Sequence, residues 1–300
     1  MKKVIYLLSF LTLFSCEKLD FETENGVDVT FTVQGTRSEV NLKDQVSKAS
    51  WRIFKKQGDG TYIAAYSSEH QDTTDSDFGT YSVLLEEGCT FKLVMLGYDG
   101  DGNCTISSPT SVTFKSSQIY DTYCYVSEDI IIDEPKSITI QPKRCVSKIK
   151  VYPTDSSKMY DFDKMFFKYT GGSSTLNPST GLGCVASTQK VYRTKDAFKI
   201  HDNDTIPSFE LYTIPLDSHS DRKTETTYHE LDTTYLKLTI SALDSYGNAI
   251  DNDETIFESI PVIRNNVTEV YGKLYSKYKL QSAEIKVDPS WAGTNTKYIE

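Results

Sequence analysis

Val27, Val29, Phe31 and Val33 alternate with Asp28, Thr30, Thr32 and Gln34, the period of a strand with one buried face. Trp51 and Ile53 open a second strand, and Gln57-Gly58-Asp59-Gly60-Thr61 is a hairpin-type turn into Tyr62-Ile63-Ala64-Ala65. Residues 67–79 form a Ser/Asp/Thr loop, Tyr81 to Leu85 and Phe91 to Leu96 flank the turn Glu86-Glu87-Gly88, and Val112 to Phe114 and Tyr123 to Val126 follow. Ser137 to Gln141 and Cys145 to Tyr152 alternate on either side of Pro142-Lys143-Arg144. Proline cannot donate to a ladder, so this break is a bend, a bulge or a boundary. Beyond it lie Phe166 to Tyr169, Phe209 to Tyr212, Tyr235 to Leu243, Ile256 to Ile263, Val267 to Tyr275 and Ala283 to Val287. In Tyr235 to Leu243 the residues Leu236, Leu238, Ile240 and Ala242 share one face, and Lys237, Thr239 and Ser241 the other. Helical periodicity is absent beyond, at most, a short turn near Ser156 to Lys164. Short strands joined by Gly, Asn, Asp and Ser turns predict an all-β protein of two tandem sandwiches, 27–143 and 144–300.

The N-terminus follows a different rule. Lys2 and Lys3 precede an apolar run from Val4 to Phe14, and Leu13-Phe14-Ser15-Cys16 ends it. That order is a secretory signal over 1–15, and its run of eleven residues, eased by the hydroxyls of Ser9 and Thr12, falls short of the ~20 that a helix needs to cross a bilayer. Leu at −3, Ser at −1 and Cys at the cut resemble the bacterial lipobox. The resemblance implies cleavage before Cys16, acylation of its thiol and amine, and a membrane anchor made of lipid alone. Two or more acyl chains anchor firmly where one holds only marginally. Residues 16–26 then read as an acidic tether, and Glu17, Asp20, Glu22 and Glu24 fit the acidic run of surface-displayed Bacteroidota lipoproteins.

Charge narrows the partners. The 300-residue chain carries a formal −10, and loss of 1–15 takes it to −12. Nucleic acid is a poor partner for such a chain, since Lys and Arg supply most of that affinity. Twenty Tyr and 14 Phe suit pleated, half-buried surfaces. With Cys16 lipidated, Cys89, Cys104, Cys124, Cys145 and Cys184 remain, none in a C-x-x-C pair. They read mainly as buried thiols, with Cys89–Cys124 as the alternative bridge.

Gly181-Leu182-Gly183-Cys184-Val185-Ala186 matches G-x-G-x-x-A, but Asn177-Pro178-Ser179-Thr180 precedes it and Ser187-Thr188-Gln189-Lys190 follows. The dinucleotide fingerprint needs a strand before and a helix after, so a loop is expected. Asp99, Asp101 and Asn103 mimic a calcium loop, yet Cys104 and Thr110 stand where Gly and Glu belong. His70, His201, His219 and His229 have no ligand spacing. No metal, cofactor or catalytic set is expected. Asp72-Thr73-Thr74, Asp204-Thr205-Ile206 and Asp232-Thr233-Thr234 match a Bacteroidota O-glycosylation tripeptide.

Several stretches together resemble the fimbrillin-like proteins of Bacteroidales, above all the anchor subunits of type V pili. They are Val29-Thr30-Phe31-Thr32-Val33 leading to Thr36-Arg37, Leu84-Leu85-Glu86-Glu87-Gly88, and Arg144-Cys145-Val146-Ser147-Lys148-Ile149-Lys150-Val151. Near the end come Ile260-Pro261-Val262-x-Arg264-Asn265-x-x-Thr268-x-Val270-x-Gly272-x-Leu274 and Glu284-Ile285-x-Val287-Asp288-x-x-Trp291-x-Gly293. The resemblance implies transthyretin-like sandwiches, a lipid anchor in the outer membrane facing outward, and assembly with pilin-like subunits by strand exchange. Backbone bonds supply affinity and alternate side chains supply register in such exchange. It also makes Arg37 the candidate protease-processing site, with Val27, Val29, Phe31 and Val33 the candidate exchanged strand. The tail past Trp291-Ala292-Gly293 reaches only Glu300, so an anchor or capping role is expected over a shaft role. The alternative is a surface glycan-binding lipoprotein of a polysaccharide-uptake system, or a subunit that touches a host surface or glycan. Neither Trp51 in its strand nor Trp291 in the terminal motif advertises a sugar platform.

Overall fold

A computed structural model describes residues 26–34, 42–100, 104–155, 162–201, 205–217, 233–250, 254–274 and 284–288. Cys16, Arg37, Trp291, His219 and His229 lie outside these residues, as do 156–161, where the helical turn was expected.

Among the described residues the chain is strand after strand. The first half contains β1 (Gly26–Val33), β2 (Lys48–Lys56), β3 (Tyr62–Ala64), β4 (Glu69–Asp72), β5 (Thr80–Glu86), β6 (Thr90–Tyr98), β7 (Cys104–Ser108), β8 (Ser111–Phe114), β9 (Thr122–Val126), β10 (Ile130–Ile131), β11 (Lys136–Ile140) and β12 (Lys143–Arg144). The second contains β13 (Ser147–Pro153), β14 (Lys164–Asn177), β15 (Leu182–Thr194), β16 (Phe209–Pro215), β17 (Thr233–Leu243), β18 (Thr255–Ile263), β19 (Val267–Gly272) and β20 (Glu284–Asp288). Single 3-10 turns occur at Leu42–Asp44 and Lys195–Ala197.

Two layers enclose the first core. A sheet ordered β11-β1-β5 faces one ordered β12-β9-β6-β2-β3, and Val29, Phe31, Trp51, Ile53, Leu85, Leu93 and Met95 fill the space between them. Apolar alternation explains this: each strand gives one row of side chains to the core and one to water. Pro142 marks the point where the chain leaves β11 in one layer and enters β12 in the other. The break read from the sequence is a bend between layers.

The second core joins Ile149, Val151, Phe167, Tyr169, Phe209, Leu238, Ile240 and Val270. It lies between β15-β14-β17-β18 and β16-β13-β19-β20, two halves of one sheet that pair at a corner where Gly172 meets Pro215. Leu236, Leu238 and Ile240 point inward as their spacing predicts.

Backbone pairing also crosses residues 143 and 144. The hairpin β7–β8 belongs to the first half of the chain, yet Thr113 and Val112 of β8 pair with Thr175 and Leu176 of β14. A third core forms there from Phe54, Val94, Leu96, Ile106, Val112, Cys145, Val146, Leu176 and Ile214. Arg52 reaches across to donate to the Ile106 carbonyl.

Candidate functional site

β1 is the middle strand of its sheet. It runs parallel to β11, with Val29 against Lys136 and Phe31 against Ile138, and antiparallel to β5, with Val29 against Val83 and Phe31 against Tyr81. Val29 and Phe31 are fully buried, while Val27 and Val33 are half-buried at its two ends. Burying the Phe31 ring contributes roughly 1.5–3 kcal/mol. Phe31 stacks on Tyr81 and Tyr81 stacks on Trp51, with centroids 6.3 and 5.7 Å apart. Burial pushes the Tyr81 phenol up to about 12. Past the end of β1, the Gln34 amide donates to the Ile140 carbonyl at 2.9 Å, and the Val33 amide to Gly79 at 2.9 Å. Gly79 in turn donates its amide to Gln71 Oε1 at 3.1 Å, which also accepts from the Trp51 indole at 3.0 Å. The four positions read as an exchanged strand are therefore one continuous inner row. Val29 and Phe31 sit in the first core, and Val27 and Val33 pack against it.

A second polar assembly lies at the seam. Arg144 grips Asp121 with two bonds, Nε to Oδ1 at 2.7 Å and Nη2 to Oδ2 at 2.9 Å, and reaches Asn265 Oδ1 at 3.2 Å. Its guanidinium lies 4.7 Å from the Tyr123 ring centroid. Nearby, Glu210 receives Lys148 at 3.1 Å, with Lys150 at 3.9 Å and His201 Nδ1 at 3.6 Å. Burial holds the Asp99 carboxyl above the usual carboxylate range, although the Ser47 amide donates to it at 3.0 Å.

The motif from Ile260 to Leu274 serves this seam. Arg264 is buried and donates to the Thr180 carbonyl at 2.8 Å, at the tip of the β14–β15 hairpin. Asn265 takes a left-handed φ of 59° in the turn between β18 and β19, a conformation that Asn tolerates. Thr268 Oγ1 donates to the Pro261 carbonyl at 2.6 Å, and the Leu274 amide to Asp155 at 2.9 Å. A Cβ on Gly272 would come within 2.7 Å of the Phe257 ring. These positions answer to packing and hydrogen bonding.

Other chemistry is placed as follows. All five described cysteines are free thiols, so Cys89 and Cys124 are not bridged; Cys104, Cys124 and Cys145 are buried, in line with the expectation of mainly buried thiols, and Cys89 and Cys184 are half-buried. Burial raises the Cys145 thiol well above its ordinary value, and the neighbouring Cys124 adds to this. The G-x-G run turns from the hairpin tip straight into strand β15, so the loop expectation holds at Gly181 and a strand follows where the dinucleotide motif has its helix. No group of His, Cys, Asp or Glu able to hold a metal occurs among the described residues. No helix of the described residues is long and apolar enough to cross a membrane.

No family model matches this sequence, and no curated protein matches it. Solved structures do. A candidate adhesin from Bacteroides ovatus is 11% identical with a TM-score of 0.48, over 82% of this chain and 87% of that one. A candidate polysaccharide-binding protein from Bacteroides thetaiotaomicron is 11% identical with a TM-score of 0.48, over 88% of this chain and 96% of that one. The tip fimbrial protein Mfa3 from Porphyromonas gingivalis is 9% identical with a TM-score of 0.38, over 87% and 99%. The structural neighbours of this all-β chain are thus candidate adhesins and cell-adhesion proteins of Bacteroides and a fimbrial tip protein.

The sequence shows β1 and the break at Pro142-Lys143-Arg144, but not the polar pairing at that break. Arg144 was read as part of a strand opening and Asp121 was not singled out, though they form a bidentate pair at 10% and 13% side-chain exposure. Their separation of 23 residues carries no local period. Nor does the sequence show the Phe166–Tyr192 pair, which faces outward from β14 and β15.

Proposed function

We propose that the protein is a non-enzymatic, lipid-anchored subunit of a type V-like fimbria, displayed on the outer membrane through Cys16. It acts as an anchor or as a structural and adhesive subunit, and it joins pilin-like partners by β-strand complementation. The observation that supports this reading best is the position of β1 between β5 and β11, with its inner row buried. A cut in the chain just after β1 would leave the strand held to β5 and β11 by backbone bonds and packing alone. Its removal leaves a groove with two rows of unpaired backbone groups, which another chain's strand satisfies. Arg37 follows β1 closely in sequence, so a cut there would release lipid and strand together.

The test is an Arg-specific protease applied to the full chain, with intact mass and unfolding midpoint followed. Cleavage after Arg37 is expected to lower the midpoint once β1 dissociates, and a synthetic peptide with the sequence of Gly26–Val33 is expected to restore it. A cleaved chain that keeps its midpoint without β1, or that ignores the peptide, would sink strand complementation. A native chain whose mass shows an unmodified Cys16 would remove the lipid anchor.

A further inference from the structure

β14 and β15 turn Met165, Phe167, Tyr169 and Val191 into the second core. The alternate residues lie on the other face, where Lys168, Lys190, Tyr192 and Thr194 are exposed, Lys164 and Phe166 are half-buried, and Thr239, Ser241 and Leu243 of β17 are buried. The register sets them in rows across the sheet: Thr194, Lys164 and Leu243, then Tyr192, Phe166 and Ser241, then Lys190, Lys168, Thr239 and Ile256. An aromatic pair therefore lies between lysine rows, one at Lys164 and one at Lys168 with Lys190. Phe166 and Tyr192 are directly opposite, with centroids 4.8 Å apart and planes at 32°. Tyr192 is 59% exposed.

Two features of this face cost stability in water. Lys168 and Lys190 are also directly opposite each other, and like charges in that relation are destabilising. Neither they nor Lys164 has a carboxylate within 4.0 Å among the described residues, in a chain that carries −10. Of the carboxylates that the register brings near, Glu258 is tied to Lys237 at 2.7 Å. Glu254 precedes β18, two strands away from β14. Second, Tyr192 is largely exposed beside the cations. The two rings lie against each other, and among the described residues no lysine is seated over either, so the outer side of Tyr192 is not covered by a cation.

We propose that this face is a binding platform for an acidic polysaccharide, with a pyranose ring stacked on Tyr192 and Phe166 and uronate carboxylates received by Lys164, Lys168 and Lys190. The ring's C–H face meets the negative face of the aromatic system, and the carboxylate relieves the opposed lysines. Adjacent rows lie about 6.8 Å apart, two residues of strand rise, within reach of a carboxylate on the same or the next sugar. The net charge of the chain opposes any polyanion, so binding at neutral pH reports this local patch. The platform is independent of strand exchange at β1, and either stands if the other fails.

The experiment is calorimetric titration of the full chain with oligogalacturonate at pH 7 and low salt. Methyl-esterified oligogalacturonate, dextran sulfate and polyglutamate serve as comparisons. Oligogalacturonate is expected to bind, with Tyr192→Ala and the double change Lys168→Gln/Lys190→Gln each weakening it about tenfold, while the methyl ester does not bind. Lys168→Glu creates an opposite-charge pair with Lys190 and is expected to raise the melting temperature while abolishing binding. These positions are on the surface, so melting curves verify that each variant folds. Absence of oligogalacturonate binding, equal binding by Tyr192→Ala, or equal capture of dextran sulfate or polyglutamate would overturn the proposal.

Discussion

Phe31 of β1 lies ring over ring on Tyr81 of β5, with centroids 6.3 Å apart and planes within 17°. The contact joins the first strand to the central aromatic column of its sandwich, because Tyr81 rests on Trp51 at 5.7 Å. The hold on β1 therefore comes from one deep side chain as well as from backbone bonds. Phe31→Ala is expected to destabilise the chain by about 3–5 kcal/mol, the usual cost of an emptied aromatic site. Thr32→Ala, on the exposed row, should stay within about 0.5 kcal/mol. Urea unfolding of the two variants measures both. Equal midpoints would mean that β1 contributes little to the native state.

That strand was legible because its alternation is strict and local: Val29 and Phe31 are fully buried and Asp28 and Thr32 exposed. Leu236, Leu238 and Ile240 were legible for the same reason. The pairing of β8 with β14 was not, because Val112 and Leu176 meet across 64 positions of chain and nothing in either segment specifies the other. Phe166-Phe167 shows the limit of composition. Both are aromatic, but only strand parity decides that Phe167 enters the core and Phe166 lies half-buried on the outer face of the sheet.

Asp121 and Arg144 supply the next expectation. Both side chains are largely withdrawn from water, and the pair is bidentate. Removing one partner strands the other charge, so Arg144→Ala is expected to cost about 3–5 kcal/mol. Arg144→Lys should recover only part of this, since a point charge cannot reproduce the fork. A double-mutant cycle with Asp121→Asn isolates the coupling. A coupling near zero would show that Arg144 acts through its bond to Asn265 and its packing on Tyr123.

Gly171 is where β14 changes partners. Lys164 to Thr170 pair with β17, whereas Gly172 and Ser173 pair with β16, and Thr175 and Leu176 with β8. The residue has φ +101°, and a Cβ there would collide with the Tyr235 carbonyl. Gly171→Ala is expected to cost more than the ~1–3 kcal/mol of backbone strain alone. It should also loosen the seam, because the second half of β14 would no longer be aimed at β8. Gly58→Ala meets nothing within 4 Å and should be close to neutral. Thermal melts of the two variants provide the comparison.

Alkaline pH should weaken the fold through buried phenols. Burial raises Tyr81 and Tyr98 from 10.0 to about 12. The unfolded chain releases these protons near 10, while the native chain holds them until about 12. In that window the native state binds more protons than the unfolded state, so stability falls as pH rises. Their contribution is complete below pH 10 and lost progressively up to about 12. Tyr81→Phe keeps the ring in its stack and removes the titrating group. It is expected to show a shallower loss of unfolding midpoint between those limits, and phenolate absorbance should show one fewer late-titrating tyrosine. An unchanged slope would mean that Tyr81 reaches solvent before it ionises.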